Sequence, residues 1–306
     1  MRISFCCTGT PSEPWIAALR SALPQAQVEL WAENAPQADY AVVWAPPQRF
    51  FDEQSGLKAI FNIGAGVDGL MKLRLPPHAA LVRLEDAGMA VQMAEYVSQA
   101  VLRHFREFDV YADQAASGQW LQRRAQRHAD FPVGVLGLGV LGARVAQTLT
   151  QFGFPVHGWS RTAKVLEGVR GYAGADQLQD FLGATRILVC LLPLTDETQG
   201  ILNHARLSLL LPGGYVINVA RGAHLVDQDL IALLDSGHLA GATLDVFRTE
   251  PLPAEHVFWK HPKIQVTPHI SARTLRLESV AQIVGKIMAL QRGEAVAGLV
   301  NRQQGY

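Results

Sequence analysis

The chain has 306 residues, 49% of them hydrophobic, a length that favours two domains over one large core. Lys plus Arg and Asp plus Glu balance at 27 each, so there is no broad basic field to attract nucleic acid or anionic lipid, and any anion site must be local. The three cysteines, Cys6, Cys7 and Cys190, are odd in number and two are adjacent, a poor basis for a disulfide framework or a spaced metal site; no metal is expected, and a reducing, cytoplasmic compartment fits best.

Residues 1–9 carry one basic side chain and an apolar stretch too short for a signal peptide, so they read as a first strand. Strand-like runs at 3–7, 40–44 and 59–63, each followed by Gly or Pro, alternate with helical stretches and predict βαβ units on a parallel sheet. From 90 to 108 the pattern becomes a long helix, with Met93, Val97, Ala100, Val101, His104, Phe105 and Phe108 along one face, expected to link the two domains. After a polar stretch at 117–130, six short apolar strands follow at 133–136, 156–159, 187–192, 215–219, 242–246 and 264–267, which with helices between them describe a doubly wound α/β sheet. The longest apolar run, 187–192, stops at Pro193, far short of the roughly 20 residues of a spanning helix, so a soluble chain with no membrane partner is expected. The last helix carries Val280, Ile283, Val284, Ile287 and Met288 on one stripe and could close the second domain or return to the first.

Directly after the strand at 133–136 comes Gly137-Leu138-Gly139-Val140-Leu141-Gly142, a GxGxxG sequence, and Leu141, Val145 and Leu149 then begin a helical stripe. In that setting the first glycine permits the tight turn, the second lets backbone approach a pyrophosphate, and the third lets helix pack on strand while the helix start offers N–H groups to the anion. An NAD-selective site ends its next strand with a carboxylate about 20 residues on. Here that place reads Trp159-Ser160-Arg161-Thr162, where Arg161 would pair with a 2′-phosphate and Ser160, Thr162 and Lys164 would add donors. NADPH is therefore the preferred cofactor and NADH a possible one.

Three polar segments sit at the carboxyl ends of later strands, where open α/β sheets place their ligands: Asn218-Val219-Ala220-Arg221-Gly222, Asp245-Val246-Phe247-Arg248-Thr249-Glu250-Pro251 and Thr267-Pro268-His269. With them the chain resembles the D-isomer-specific 2-hydroxyacid dehydrogenase family and, within it, the glyoxylate/hydroxypyruvate reductase A branch. The resemblance also runs through Val43-Trp44-Ala45-Pro46, Gly64-Ala65-Gly66-Val67-Asp68, Arg83-Leu84-Glu85-Asp86, the glycine motif and the Trp159 segment to Gly305-Tyr306.

That resemblance implies a Rossmann dinucleotide-binding domain at 97–278 and a smaller flavodoxin-like substrate domain at 1–96 plus 279–306, to which the last helix returns. It implies a catalytic set of Arg221, Glu250 and His269 and a homodimer formed through the cofactor domain. It adds Leu192, Pro193, Ala220, Arg221 and Asp245 to the cofactor contacts. The backbone of Ala65, Gly66 and Val67 becomes an anion nest for the substrate carboxylate, and Trp44 a wall suited to glyoxylate or hydroxypyruvate. The chemistry justifies the residue types on its own: hydride reaching a 2-oxoacid carbonyl builds negative charge on oxygen. His269 can donate a proton to it, Arg221 can hold both carbonyl and carboxylate, and Glu250 beside the histidine would orient its ring and favour the imidazolium.

Taken singly, each of these three residues also fits a surface or structural role, and Trp44 also fits a core position; it is their joint placement that points to a site. Two rival functions remain at this level, an NAD-linked dehydrogenase of D-lactate or D-glycerate type and a non-catalytic dinucleotide sensor. A phosphorylated substrate would need an extra basic cluster that the first domain does not offer. Arg273 and Arg276, just past His269, receive no role.

Overall fold

Val, Ile and Leu runs bounded by Gly, Pro and Asn become parallel strands covered on both faces, the arrangement that needs near-continuous apolar sequence. The computed structural model describes residues 1–303 and 305, so Tyr306 of the terminal pair lies outside the described residues. The chain divides into two compact units, one comprising Met1–Met89 and the chain from Thr274 onward, the other Ala90–Arg273. The boundaries expected from sequence, 96/97 and 278/279, lie a few residues beyond these.

In the first unit, β1 (Arg2–Cys7), β2 (Gln27–Leu30), β3 (Tyr40–Trp44), β4 (Ala59–Asn62) and β5 (Ala80–Arg83) form a five-stranded parallel sheet in the order β2-β1-β3-β4-β5, the flavodoxin-like winding. Phe50, Leu57, Ile60 and Leu81 lie in its core. Of the five strands, β2 and β5 have no counterpart in the sequence reading; β2 is an edge strand that buries only Val28. The helix Arg276–Gln291 belongs to this unit and buries Val280, Ile283 and Ile287. It is tied there by the Glu85 N–H donating to Gln282 Oε1 at 3.2 Å and by Lys286 Nζ donating to the Arg83 carbonyl at 3.0 Å. Met288, expected on the apolar stripe, is 46% exposed. Lys286 is buried in its stead, its stem packed and its ammonium bonded to a carbonyl, and burial pushes its pKa down.

The second unit holds β6 (Val133–Leu136), β7 (Val156–Ser160), β8 (Val169–Ala173), β9 (Ile187–Cys190), β10 (Gly214–Asn218), β11 (Leu239–Leu244) and β12 (Ile264–Val266), all parallel, in the order β12-β11-β10-β9-β6-β7-β8. The strand order reverses between β6 and β9, the switch point at which such sheets bind ligands. Alternate side chains enter two separate cores: Ile187 and Val189 join Val97, Phe105, Val145 and Leu149, while Leu188 and Cys190 join Phe181, Leu207 and Leu230. All six expected strands are present. The seventh, β8, escapes a hydrophobic reading because it is an edge strand that exposes Arg170 and Gly171.

The long helix also departs from expectation. It runs Met89–Phe105 and stops; Glu107 takes the left-handed conformation at φ 54°, and a second helix, Phe108–Ala116, follows. Phe108 therefore leaves the buried stripe and is 50% exposed. Glu107 is held in its turn by Arg123, whose Nη2 donates to Oε1 at 2.6 Å. Among the described residues no helix is long and apolar enough to cross a membrane.

Candidate active site

One row of paired residues runs across the second sheet at its carboxyl edge. Trp159 pairs with Leu136, Leu136 with Cys190, Cys190 with Asn218, Asn218 with Leu244, and Leu244 with Val266. Every candidate segment of this unit starts just beyond that row: Ser160, Gly137, Leu192, Ala220, Asp245 and Thr267 each lie one or two residues further on. Register alone thus brings motifs separated by more than a hundred residues to a single edge, at the ~4.8 Å spacing of neighbouring strands.

The glycine turn divides its three glycines between packing and openness. Gly137 sits at φ +106°, and a Cβ there would meet the Leu191 carbonyl oxygen at 2.7 Å; a Cβ on Gly142 would lie 1.8 Å from the Gly137 oxygen. Both are required by the chain's own close approach. Gly139 is different, since a Cβ there would meet nothing within 4 Å. The helix Val140–Gln151 starts at this residue with no side-chain cap, so its leading N–H groups face a region where backbone and a pyrophosphate can meet closely. These residues fit a dinucleotide. Leu138 is buried, Val140 is exposed and Leu141 half-buried, and Lys164 Nζ donates to the Leu138 carbonyl at 2.6 Å, bracing the turn.

At the end of β7, Ser160 is buried and its hydroxyl donates to the Thr162 carbonyl at 2.8 Å, while Trp159 Nε1 donates to Gly174 O at 2.9 Å. Ser160 therefore shapes the turn, and the exposed polar groups there belong to Arg161 and Thr162, with no carboxylate beside them in sequence. After β9, Leu192 is buried and Pro193 half-buried, with the Pro193 carbonyl accepting from Thr198 Oγ1 at 2.7 Å.

Beyond β10, the fully buried Asn218 folds the next turn on itself: its Oδ1 accepts from the Ala220 N–H at 3.2 Å and its Nδ2 donates to the Arg221 carbonyl at 3.0 Å. Arg221 Nη1 then donates to the Ala220 carbonyl at 2.7 Å. Gly222 lets this turn lie against the next segment, for a Cβ there would fall 1.8 Å from the Phe247 carbonyl carbon.

Beyond β11, Asp245 is fully buried, and its carboxylate accepts from Thr267 Oγ1 at 2.6 Å and from the N–H groups of Ile270 and Ser271 at 2.8 Å each. Its own carbonyl accepts the His269 N–H at 2.9 Å. These bonds brace the histidine, which sits in the left-handed region at φ 54°, a conformation that persists only where surroundings enforce it.

His269 Nδ1 lies 2.7 Å from Glu250 Oε2, and Glu250 Oε1 accepts the Phe247 N–H at 2.9 Å. A carboxylate can only accept here, so Nδ1 carries the proton of this contact and Nε2 is the ring nitrogen that Glu250 leaves unengaged. Burial pushes the Glu250 pKa up, but the bonds from His269 and Phe247 and the charges of His269 and Arg221 outweigh it, and the net shift is downward. The expected catalytic trio therefore comes together electrostatically, with Arg221 near enough to stabilise Glu250.

In the first unit Trp44 is not a core residue. It ends β3 at 37% exposure, and its ring lies over Gly64, where a Cβ would meet Trp44 Cζ3 at 2.5 Å. Asn62, fully enclosed, donates through Nδ2 to the carbonyls of Gly64 at 3.0 Å and Gly66 at 2.8 Å, curling residues 64–67 into a loop whose Ala65 and Gly66 are half-exposed and whose Val67 is buried. Asn62, Asn218 and the bracing role of Asp245 were not anticipated; the only signal is a short polar residue at the last turn of a strand, where such side chains bond to nearby backbone. Arg273 is held through its backbone, which exchanges two hydrogen bonds with the Gln92 amide at 3.0 and 3.2 Å, and the side chains of Arg273 and Arg276 are exposed.

Known proteins resemble this chain over its whole length. Residues 98–271 match the family described as D-isomer specific 2-hydroxyacid dehydrogenase, NAD binding domain. A glyoxylate/hydroxypyruvate reductase A of Serratia proteamaculans is 48% identical over 314 aligned positions that cover all of both chains. Among solved structures, a D-isomer specific 2-hydroxyacid dehydrogenase from Xanthobacter autotrophicus Py2, in complex with NADPH and MES, is 39% identical at a TM-score of 0.95, covering 100% of this chain and 99% of its own. An NADPH-dependent glyoxylate/hydroxypyruvate reductase from Sinorhizobium meliloti, in complex with NADP and sulfate, is 37% identical at 0.93 with the same coverage. Through its glycine turn, its His269–Glu250 pair and full-length similarity to these proteins, the chain belongs to the D-isomer specific 2-hydroxyacid dehydrogenase family.

Proposed function

We propose that this protein reduces small 2-oxoacids with NADPH, converting glyoxylate to glycolate and hydroxypyruvate to D-glycerate. The observation that carries the proposal is the His269 Nδ1–Glu250 contact of 2.7 Å, made at the same sheet edge as the glycine turn. Bound NADPH supplies the hydride. Residues 137–142 hold its pyrophosphate, Arg161 with Thr162 receives its 2′-phosphate beside Ser160, and Leu192, Pro193, Ala220 and Asp245 border its nicotinamide half. NADH is accepted as the weaker cofactor, for Arg161 gains nothing from a bare ribose.

The Arg221 guanidinium binds the carboxylate and the carbonyl oxygen of the oxoacid, and the N–H groups of Ala65, Gly66 and Val67 bind the carboxylate. Trp44 limits the size of the substrate side chain. As the carbonyl oxygen gains charge, His269 Nε2 gives it a proton while the Glu250 carboxylate holds the ring and balances its charge. Similarity to the Serratia, Xanthobacter and Sinorhizobium proteins supports both the substrates and the cofactor. The protein works in the cytoplasm as a homodimer.

Steady-state kinetics with both ketoacids and both cofactors test this reading. Wild type is expected to prefer NADPH, and Arg161→Ala should lose about 10- to 100-fold in kcat/KM for NADPH, the worth of a hydrogen bond to a charged group, with NADH kinetics little changed. A preference for NADH, or no turnover of either ketoacid, would overturn it.

A further inference from the structure

We infer that His224, fully buried and outside the catalytic trio, is a positioning residue that ties the Arg221 turn to the Pro193 turn. The inference rests on the reading that Arg221 meets the oxoacid and Pro193 the dinucleotide. His224 closes the short 3-10 turn Gly222–His224, and its ring sits between the two segments that follow β9 and β10. Nδ1 lies 3.1 Å from the Arg221 carbonyl oxygen, and Nε2 lies 3.3 Å from the Pro193 carbonyl oxygen.

Both of these oxygens can only accept, so each link is an N–H···O bond from its own ring nitrogen, and the ring holds both turns at once with a proton on each nitrogen. Each carbonyl also has partners of its own. Arg221 O accepts from Asn218 Nδ2 at 3.0 Å and from the His224 N–H at 3.2 Å, and Pro193 O accepts from Thr198 Oγ1 at 2.7 Å. The ring is thus not needed to satisfy either oxygen; what it adds is a link between them. A third segment locks the arrangement from behind, with the Gly200 N–H donating to Ala223 O and the Leu202 N–H to His224 O, both at 2.9 Å. The neighbouring Leu225 and Leu202 are buried and apolar, so packing alone would be served by another leucine. A buried polar ring at this place costs desolvation that its two links offset.

Two conservative variants separate the links, because an asparagine amide nitrogen falls near the position of Nδ1 and a glutamine amide nitrogen near that of Nε2. His224→Asn keeps a donor toward Arg221 and loses the one toward Pro193; His224→Gln does the reverse. We expect His224→Asn to hold kcat/KM for glyoxylate at saturating NADPH near the wild-type value and to weaken NADPH binding about three- to tenfold, the worth of one hydrogen bond, as read by cofactor fluorescence titration. His224→Gln should show the mirror image, and His224→Leu both losses together, with thermal melts run alongside to separate folding from positioning.

Equal shifts of both quantities in the Asn and Gln variants, or no shift in either, would overturn the inference, and this holds even if His224→Leu fails to fold. A wild-type protein that binds NADPH but does not reduce glyoxylate would instead sink the functional reading. The NADPH titrations then decide on His224 alone, requiring the Gln variant to bind as wild type does and the Asn variant to bind more weakly.

Discussion

Replacing His269 by Gln is expected to lower kcat for glyoxylate reduction by about 10²- to 10⁴-fold, the usual contribution of a positioned general acid, while NADPH affinity stays at the wild-type level. Glutamine is close to histidine in size and its amide nitrogen falls near the position of Nε2, so a hydrogen-bond donor remains there while the transferable proton and the Nδ1 tie to Glu250 are lost. The braces that hold this loop are backbone bonds to Asp245, from the N–H groups of residues 269, 270 and 271, and they survive the substitution. The half-exposed position of the ring also means that no packed core is disturbed. Single-turnover kinetics together with a cofactor titration would settle the matter: undiminished turnover in this variant removes His269 as the donor.

Arg221→Gln should cost about 10²- to 10³-fold in kcat/KM, the scale observed when a preorganised stabiliser of developing oxyanion charge is removed. Its turn is shaped by Asn218 and by backbone bonds, so the loss would be one of charge and not of shape. Arg221→Lys is expected to recover only part of the activity, because an ammonium cannot present two parallel donors to a carbonyl and a carboxylate.

The same variant carries a pH signature. The Glu250 pKa is lowered in the folded protein, partly by the charge of Arg221. What this charge contributes is present above the ordinary carboxylate value, about 4.3, and is lost as pH falls through the depressed folded value. Without Arg221 that loss begins at higher pH, so the acid limb of the Arg221→Gln profile should move upward. An acid limb coincident with that of the wild type would mean that Arg221 does not act on Glu250.

How much of this was legible in the residues follows from what generates each signal. Strands β9 and β10 declare themselves because both faces are covered, so Ile187 through Cys190 and Tyr215 through Ile217 are all apolar. The glycines declare themselves because Gly137 and Gly142 are demanded by backbone contacts that no other residue permits. Edge strands give no such signal: Gln27–Leu30 buries one residue, and Val169–Ala173 shows Arg170 and Gly171 to solvent. Phe108 misled because it keeps the helical spacing from Phe105 and His104, whereas the break at Glu107 is written in backbone dihedrals. Met288 misled by its place on the apolar stripe, while Lys286, a charged residue, gave no sign of a burial that depends on a carbonyl supplied from a strand some two hundred positions earlier.

At the site, the residue types of the trio could be read from the chemistry they must perform. The network beneath them could not. Asp245 meets Thr267, Ile270 and Ser271, and His224 meets Pro193, only because the registers of β9, β10, β11 and β12 carry those segments side by side. Such partnerships are properties of the assembled sheet and leave no periodic trace in the chain.

One last consequence comes from the two cores that share each central strand. With every side chain from Ile187 to Cys190 committed to one packing layer or the other, none is left to face a ligand, and the reactive groups are confined to the few positions past the strand ends. Durability and reactivity are therefore inscribed in different letters of the sequence. Selection can rewrite substrate preference at the rim while the interior that keeps the molecule folded goes unrevised.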